Sequence, residues 1–210
     1  MNKFIVGTGD YIYQIEHPFG TLPPNLSWGN TSHVATDSSG KVYVYQRNDP
    51  PMLVFGNEGH LVGSWGDDQL MDAHGIFMTP NDEVFVCDRD AHQVVKYDLQ
   101  GNVLLKLGRR EKPALHKPFN HPTDIAVSID GDIFVADGYA NSSVHHFSSN
   151  GAYIKSWGSW GSGPGQFITP HGIWVANDRV YVCDRENNRV QIFDTNAVYI
   201  TEWNGFFHPM

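Results

Sequence analysis

Long apolar runs, cysteine and basic charge are all scarce in this sequence of 210 residues. No stretch approaches the roughly 20 apolar residues of a membrane span. The N-terminal MNKFIVGTGDYIYQIEHPFG lacks the unbroken apolar segment of an export signal. The expectation is therefore a soluble chain without a visible export address, cytoplasmic by default. Fourteen Lys and Arg face 23 Asp and Glu, for a net charge of -9. That balance argues against a nucleic-acid or anionic-membrane partner. The two cysteines, Cys87 and Cys183, occupy equivalent mid-strand places in different repeats, which suits small buried residues better than a disulfide. Helical periodicity is missing as well. What the chain does have is a repeat, and 11 histidines.

Three segments align without gaps: FVCDRDAHQVVKYD (85–98), FVADGYANSSVHHF (134–147) and YVCDRENNRVQIFD (181–194). A weaker copy, YVYQRNDPPMLVF, covers 43–55, with Gln46 where the others have Asp88, Asp137 and Asp184. Within each copy, apolar and polar residues alternate with period two, and turn signals such as Asp130-Gly131-Asp132 separate the runs. Each unit reads as a four-stranded antiparallel meander of about 45 residues, the signature of radial stacking around an axis. The expected fold is thus all-β: a single β-propeller domain over 1–210, with blades at about 26–66, 67–108, 117–158 and 165–204. The tail GFFHPM resembles PFNHPT (118–123), so a fifth blade is expected to open at 205, and the chain reads as four blades of a truncated six-bladed ring.

Aligned on Val34, Ile76, Ile125 and Ile173, the repeats place Ser32, His74, Thr123 and His171 two residues earlier. Inner strands of a propeller run side by side along the channel, so this slot forms a ring at one mouth. His74 and His171 stand on alternate blades, where a threefold-related third histidine in a sixth blade would complete a His₃ zinc site. The second strand of each blade returns to the same mouth. There stand Arg47, Arg89 and Arg185 in equivalent register, with Gly138 followed by Tyr139 in the third blade.

Plainer roles compete. The aspartates suit turn caps that accept backbone N–H groups. Arg89 and Arg189 suit interblade or surface charges; His33, His60, His116, His145 and His146 suit solvent or turn positions. For His74 and His171, spacing alone leaves ligand and structural roles open.

Nearly the whole chain resembles the NHL-repeat, six-bladed family of peptidyl-α-hydroxyglycine α-amidating lyases and their bacterial relatives. The motifs that carry the likeness are GTGDYIYQIEHPFGTLPP (7–24), VYVYQR (42–47), DAHGIFM (72–78), PTDIAV with FVADGYANSSVHHF (122–147), and PGQFITPHGIWV with VCDRENNRVQIFD (164–194). The resemblance implies a catalytic zinc on three histidines, two of them matched by His74 and His171. It implies Tyr139 as the base and Arg47 and Arg185 as the arginines of the site. The implied reaction cleaves a peptide's C-terminal α-hydroxyglycine to a peptide amide and glyoxylate. It also implies a structural calcium, whose ligands it does not place here. With the third histidine expected outside these residues, the 210-residue chain alone is expected to lack efficient lyase activity. The alternative is a non-catalytic NHL propeller that binds a protein or other ligand on one face. A histidine in a sixth-blade slot, and glyoxylate release, separate the two.

Overall fold

The computed structural model describes residues 4–15 and 18–210. Glu16 and His17 of the 7–24 motif, and Met1–Lys3, lie outside the described residues. A detached hairpin of β1 (Phe4–Thr8) and β2 (Tyr11–Ile15) precedes four antiparallel sheets of four strands each. The first blade holds β3 (Asn30–Thr36), β4 (Val42–Arg47), β5 (Met52–Phe55) and β6 (Leu61–Trp65). The second holds β7 (Ala73–Met78), β8 (Val84–Asp88), β9 (Gln93–Tyr97) and β10 (Val103–Gly108). The third holds β11 (Asp124–Val127), β12 (Ile133–Asp137), β13 (Ser143–Phe147) and β14 (Tyr153–Trp157). The fourth holds β15 (Pro170–Ala176), β16 (Arg179–Asp184), β17 (Arg189–Asp194) and β18 (Tyr199–Asn204). Residues 205–210 form no strand. Among the described residues, no helix is long and apolar enough to cross a membrane.

The hydrophobic cores lie between blades, which is why the sheets stack radially. β12 shows the logic. Ile133 and Val135 join Phe85 and Leu107 of the second blade in one core. Phe134 and Ala136, on the other face of the same strand, join Val180 and Phe193 of the fourth blade in the next. Period-two alternation thus sends successive side chains into two different cores. A third core joins Tyr43, Tyr45 and Val54 of the first blade to Val86 and Tyr97 of the second.

The inner strands β3, β7, β11 and β15 stand in order along the channel, each against the next. Three of them break register near their start. Ser32 is skipped between Thr31 and His33; His74-Gly75 and His171-Gly172 are skipped in β7 and β15. These are β-bulges, which re-aim side chains out of the regular pleat. In the second and fourth blades the bulged His-Gly pair opposes a single cysteine, Cys87 or Cys183. Each thiol is hydrogen-bonded by the backbone of that glycine. Both cysteines are free, Cys87 buried and Cys183 half-buried.

Phe134 is fully buried and stacks on His146 at 4.2 Å between ring centres. Phe134→Ala should lower the unfolding free energy by about 3–5 kcal/mol. Ile129→Ala, at a residue 92 % exposed, should change it by less than about 0.5 kcal/mol. Chaotrope denaturation of both variants checks this, and equal effects would contradict the placement of the core between blades.

Candidate functional site

At the mouth where the inner strands begin, hydrogen bonds run from blade to blade. The Ser32 hydroxyl donates to the Ala73 carbonyl at 2.7 Å, and Thr123 Oγ1 donates to the Pro170 carbonyl at 2.9 Å. His74 Nδ1 lies 2.5 Å from the Thr123 carbonyl. A carbonyl oxygen only accepts, so Nδ1 carries the proton and His74 Nε2 presents a lone pair. Three of the four slot residues therefore each bind the backbone of the following blade.

The second strands return to this mouth, and Asp88, Asp137 and Asp184 at their ends act as caps. Asp88 accepts the N–H groups of Met71 and Asp72, Asp137 that of Asn120, and Asp184 that of Ile168. The next residue differs by blade: Arg47, Arg89, Gly138 and Arg185. A Cβ at Gly138 would stand 2.0 Å from the Pro170 carbonyl oxygen, so only glycine lets the β12 end pass so close to the fourth blade. This close approach carries Tyr139 toward the two histidines. Its hydroxyl lies 3.0 Å from His74 Nε2 and 3.1 Å from His171 Nε2. The imidazole rings are 4.9 Å apart.

Both imidazoles are held neutral. Burial lowers His74 from its usual 6.5 to about 4, opposed by the bond to Thr123 and reinforced by Arg47, Arg89 and His33. Burial likewise lowers His171 to about 3, reinforced by His74, Arg185 and His33. The guanidiniums of Arg89 and Arg185 lie over the Tyr139 ring, 5.4 and 5.6 Å from its centre. Arg47 Nε donates to the Ala73 carbonyl at 3.0 Å, beside His74.

The five residues singled out from sequence, His74, His171, Tyr139, Arg47 and Arg185, thus surround one mouth. Arg89, assigned from sequence to an interblade or surface role, belongs to this cluster, and its register with Arg47 and Arg185 was the signal. Arg189, given the same role, is instead buried within the fourth blade, bonded to Asp184 and Glu202. His145 and His146 are not solvent or turn residues either: both are buried on β13. His33 is on β3, along the channel wall with His74 and His171. Asp124, which sequence reasoning passed over, lines the same channel. Burial pushes its carboxyl up to about 7. Its Oδ2 accepts the Ile173 N–H at 3.0 Å, and its Oδ1 has no partner among the described residues.

Comparison with known proteins follows this geometry. A family model described as a 6-bladed β-propeller matches residues 118–205. The chain is 32 % identical over 203 residues to peptidyl-glycine α-amidating monooxygenase B of Xenopus laevis, covering 80 % of this chain and 23 % of that protein. It is 29 % identical to peptidyl-α-hydroxyglycine α-amidating lyase 1 of Drosophila melanogaster, covering 94 % of this chain and 42 % of the relative. It is 31 % identical to human NHL repeat-containing protein 3, covering 88 % and 58 %. The chain belongs to the NHL-repeat β-propeller family. In solved structures this NHL propeller superposes on virginiamycin B lyase of Staphylococcus aureus with a TM-score of 0.65 at 15 % identity, over 93 % of this chain and 60 % of that one. That likeness speaks for the fold alone. The chain spans less than a quarter of the amidating monooxygenase it matches.

The atoms at the mouth of this NHL propeller can be tested against the zinc that the sequence resemblance implies. Two neutral imidazoles aim Nε2 at one point, and a backbone carbonyl braces one of them through Nδ1, as is usual for zinc-binding histidines. Among the described residues, no group of three or more His, Cys, Asp or Glu gathers to hold a metal. The donors present therefore fit two positions of the three-ligand set that catalytic zinc uses.

Because both histidines are neutral when folded and charge near 6.5 when unfolded, the unfolded metal-free chain binds more protons below that value. Stability should fall as pH drops from about 6.5 toward about 4. The double variant His74→Gln, His171→Gln should flatten that slope in denaturation curves taken across the window. An unchanged slope would show that these imidazoles titrate normally in the fold.

Proposed function

We propose that the protein is a lyase of the amidating type, acting on a small molecule or peptide that ends in α-hydroxyglycine. The carrying observation is the Tyr139 hydroxyl held between His74 Nε2 and His171 Nε2, at 3.0 and 3.1 Å, under two guanidiniums. The names of the relatives support the same reading. In this proposal His74 and His171 hold a zinc ion through Nε2, together with donors beyond those gathered here. When bound, zinc lowers the pKa of the substrate hydroxyl.

The chain's own residues supply the rest. The Thr123 carbonyl fixes the His74 tautomer, so that Nε2 faces the site. Arg47 and Arg185 hold the substrate carboxylate through planar N–H pairs, which orients the adjacent carbon. In its phenolate form, Tyr139 accepts the hydroxyl proton, and the phenol so formed can return it to the departing nitrogen. The C–N bond then breaks, its electron pair goes to the nitrogen, and the former hydroxyl carbon becomes the carbonyl of glyoxylate. The nitrogen takes up a proton and leaves as the amide, so one proton is lost and one gained.

In the intact protein, Tyr139→Phe should lower turnover by about 10²–10⁴-fold with unchanged zinc content. Glyoxylate release from an N-acyl-α-hydroxyglycine, together with metal analysis, checks this. Loss of the metal would make Tyr139 structural. Full activity would remove it from the mechanism. A wild type that binds no zinc and releases no glyoxylate would favour a non-catalytic binding propeller.

A further inference from the structure

Asp72 lies between two arginines from different blades. Its Oδ1 lies 3.1 Å from Arg47 Nε and its Oδ2 2.8 Å from Arg89 Nε, ion-pair contacts only, since the Nε protons point to the Ala73 carbonyl and to Asp90. Asp72 is mostly buried, and burial raises its carboxyl pKa while both arginines oppose the shift. Arg89 Nε also meets Asp90, a more exposed carboxylate, at 2.9 Å. All these contacts use the Nε edge. Among the described residues, no hydrogen bond engages the Nη groups of Arg47, Arg89 or Arg185.

A guanidinium has five N–H donors in a fixed fork. When Nε is taken, the two Nη groups remain as a pair whose geometry matches a carboxylate. Asp72 and Asp90 balance Arg47 and Arg89 in charge, and Glu186 balances Arg185, so what the rim offers is free Nη donor pairs rather than surplus charge. In a chain with a net charge of -9, three arginines with uncommitted Nη pairs stand around one half-exposed tyrosine.

We propose that Arg89 is a third anion-recognising guanidinium of this site, and that Asp72 is the positioning residue that sets it against Arg47. Resting on the lyase reading above, this adds a second-blade guanidinium to the two, from the first and fourth blades, that hold the substrate carboxylate. Arg89 works beside Arg185, which approaches the same tyrosine from the fourth blade. Asp72 acts only through the two arginines.

The test is binding of N-benzoylglycine, which carries the carboxylate and lacks the scissile hydroxyl, compared with its methyl ester, by calorimetry on the intact protein. Wild type should prefer the acid by at least about tenfold, roughly the worth of one charge-assisted hydrogen bond. Arg89→Ala should lose about tenfold in affinity for the acid and none for the ester. Asp72→Asn separates two roles. If Asp72 is merely a counter-charge, removing it strengthens acid binding; if it positions the arginines, acid binding weakens. In turnover, Arg89→Ala should raise KM and leave kcat nearly unchanged, unlike Tyr139→Phe. Should Asp72→Asn fail to fold, Arg89→Ala alone still decides. Acid binding that needs Arg89 without any glyoxylate release would sink the lyase reading and keep this inference. Glyoxylate release with acid binding indifferent to Arg89 would do the reverse. A wild type that does not distinguish acid from ester overturns the inference outright.

Discussion

The rim of the channel depends on hydrogen bonds that cross from one blade to the next. Ser32 binds the Ala73 carbonyl, His74 that of Thr123, and Thr123 that of Pro170. His74 follows the first acceptor, Ala73, and Thr123 is both the second acceptor and the third donor, so the blades are tied in sequence at the level where the site lies. His74 belongs both to this seam and to the site. Its Nδ1 is spent on the seam, and that fixes its Nε2 toward Tyr139. A structural role and a ligand role, alternatives at the level of sequence, are here two edges of one ring.

The blades, the strand order and the turns were legible because the repeat is regular and because both faces of strands such as β12 are buried. The shared slot of His74 and His171 was legible from register alone. The bulges were not, since a two-against-one mismatch changes the hydrogen-bond pattern without changing the apolar pattern. Nor was the place of Gly138. From sequence it interrupts a column of arginines; in three dimensions it is the gap through which Tyr139 reaches the histidines, 2.0 Å being no room for a side chain. Arg89 does make the interblade contacts read for it from sequence, but its place over Tyr139 was not legible there.

Proximity of reactive residue types is not by itself a site, and the third blade illustrates this. Ser156 Oγ lies 2.5 Å from His145 Nδ1, and His145 Nε2 lies 3.0 Å from Asp137 Oδ2. The set has the composition of a hydrolytic triad. Yet His145 and Asp137 are fully buried, and Asp137 is already committed to the Asn120 N–H and the Asn141 amide. No substrate reaches that histidine, so the network fastens a loop to the blade. The cluster at the channel mouth differs in that its donors are turned toward accessible space: Tyr139 is 39 % exposed, and three arginines keep their Nη groups uncommitted.

The central claim is that His74 and His171 present Nε2 to one shared point. Nitrogen-15 spectra of the imidazoles during zinc titration test it most directly. The account predicts that Nε2 of both rings shifts together at one equivalent of metal, while His74 Nδ1 keeps the signature of a proton bound to a carbonyl. Coordination through Nδ1, or a response confined to one ring, would contradict it.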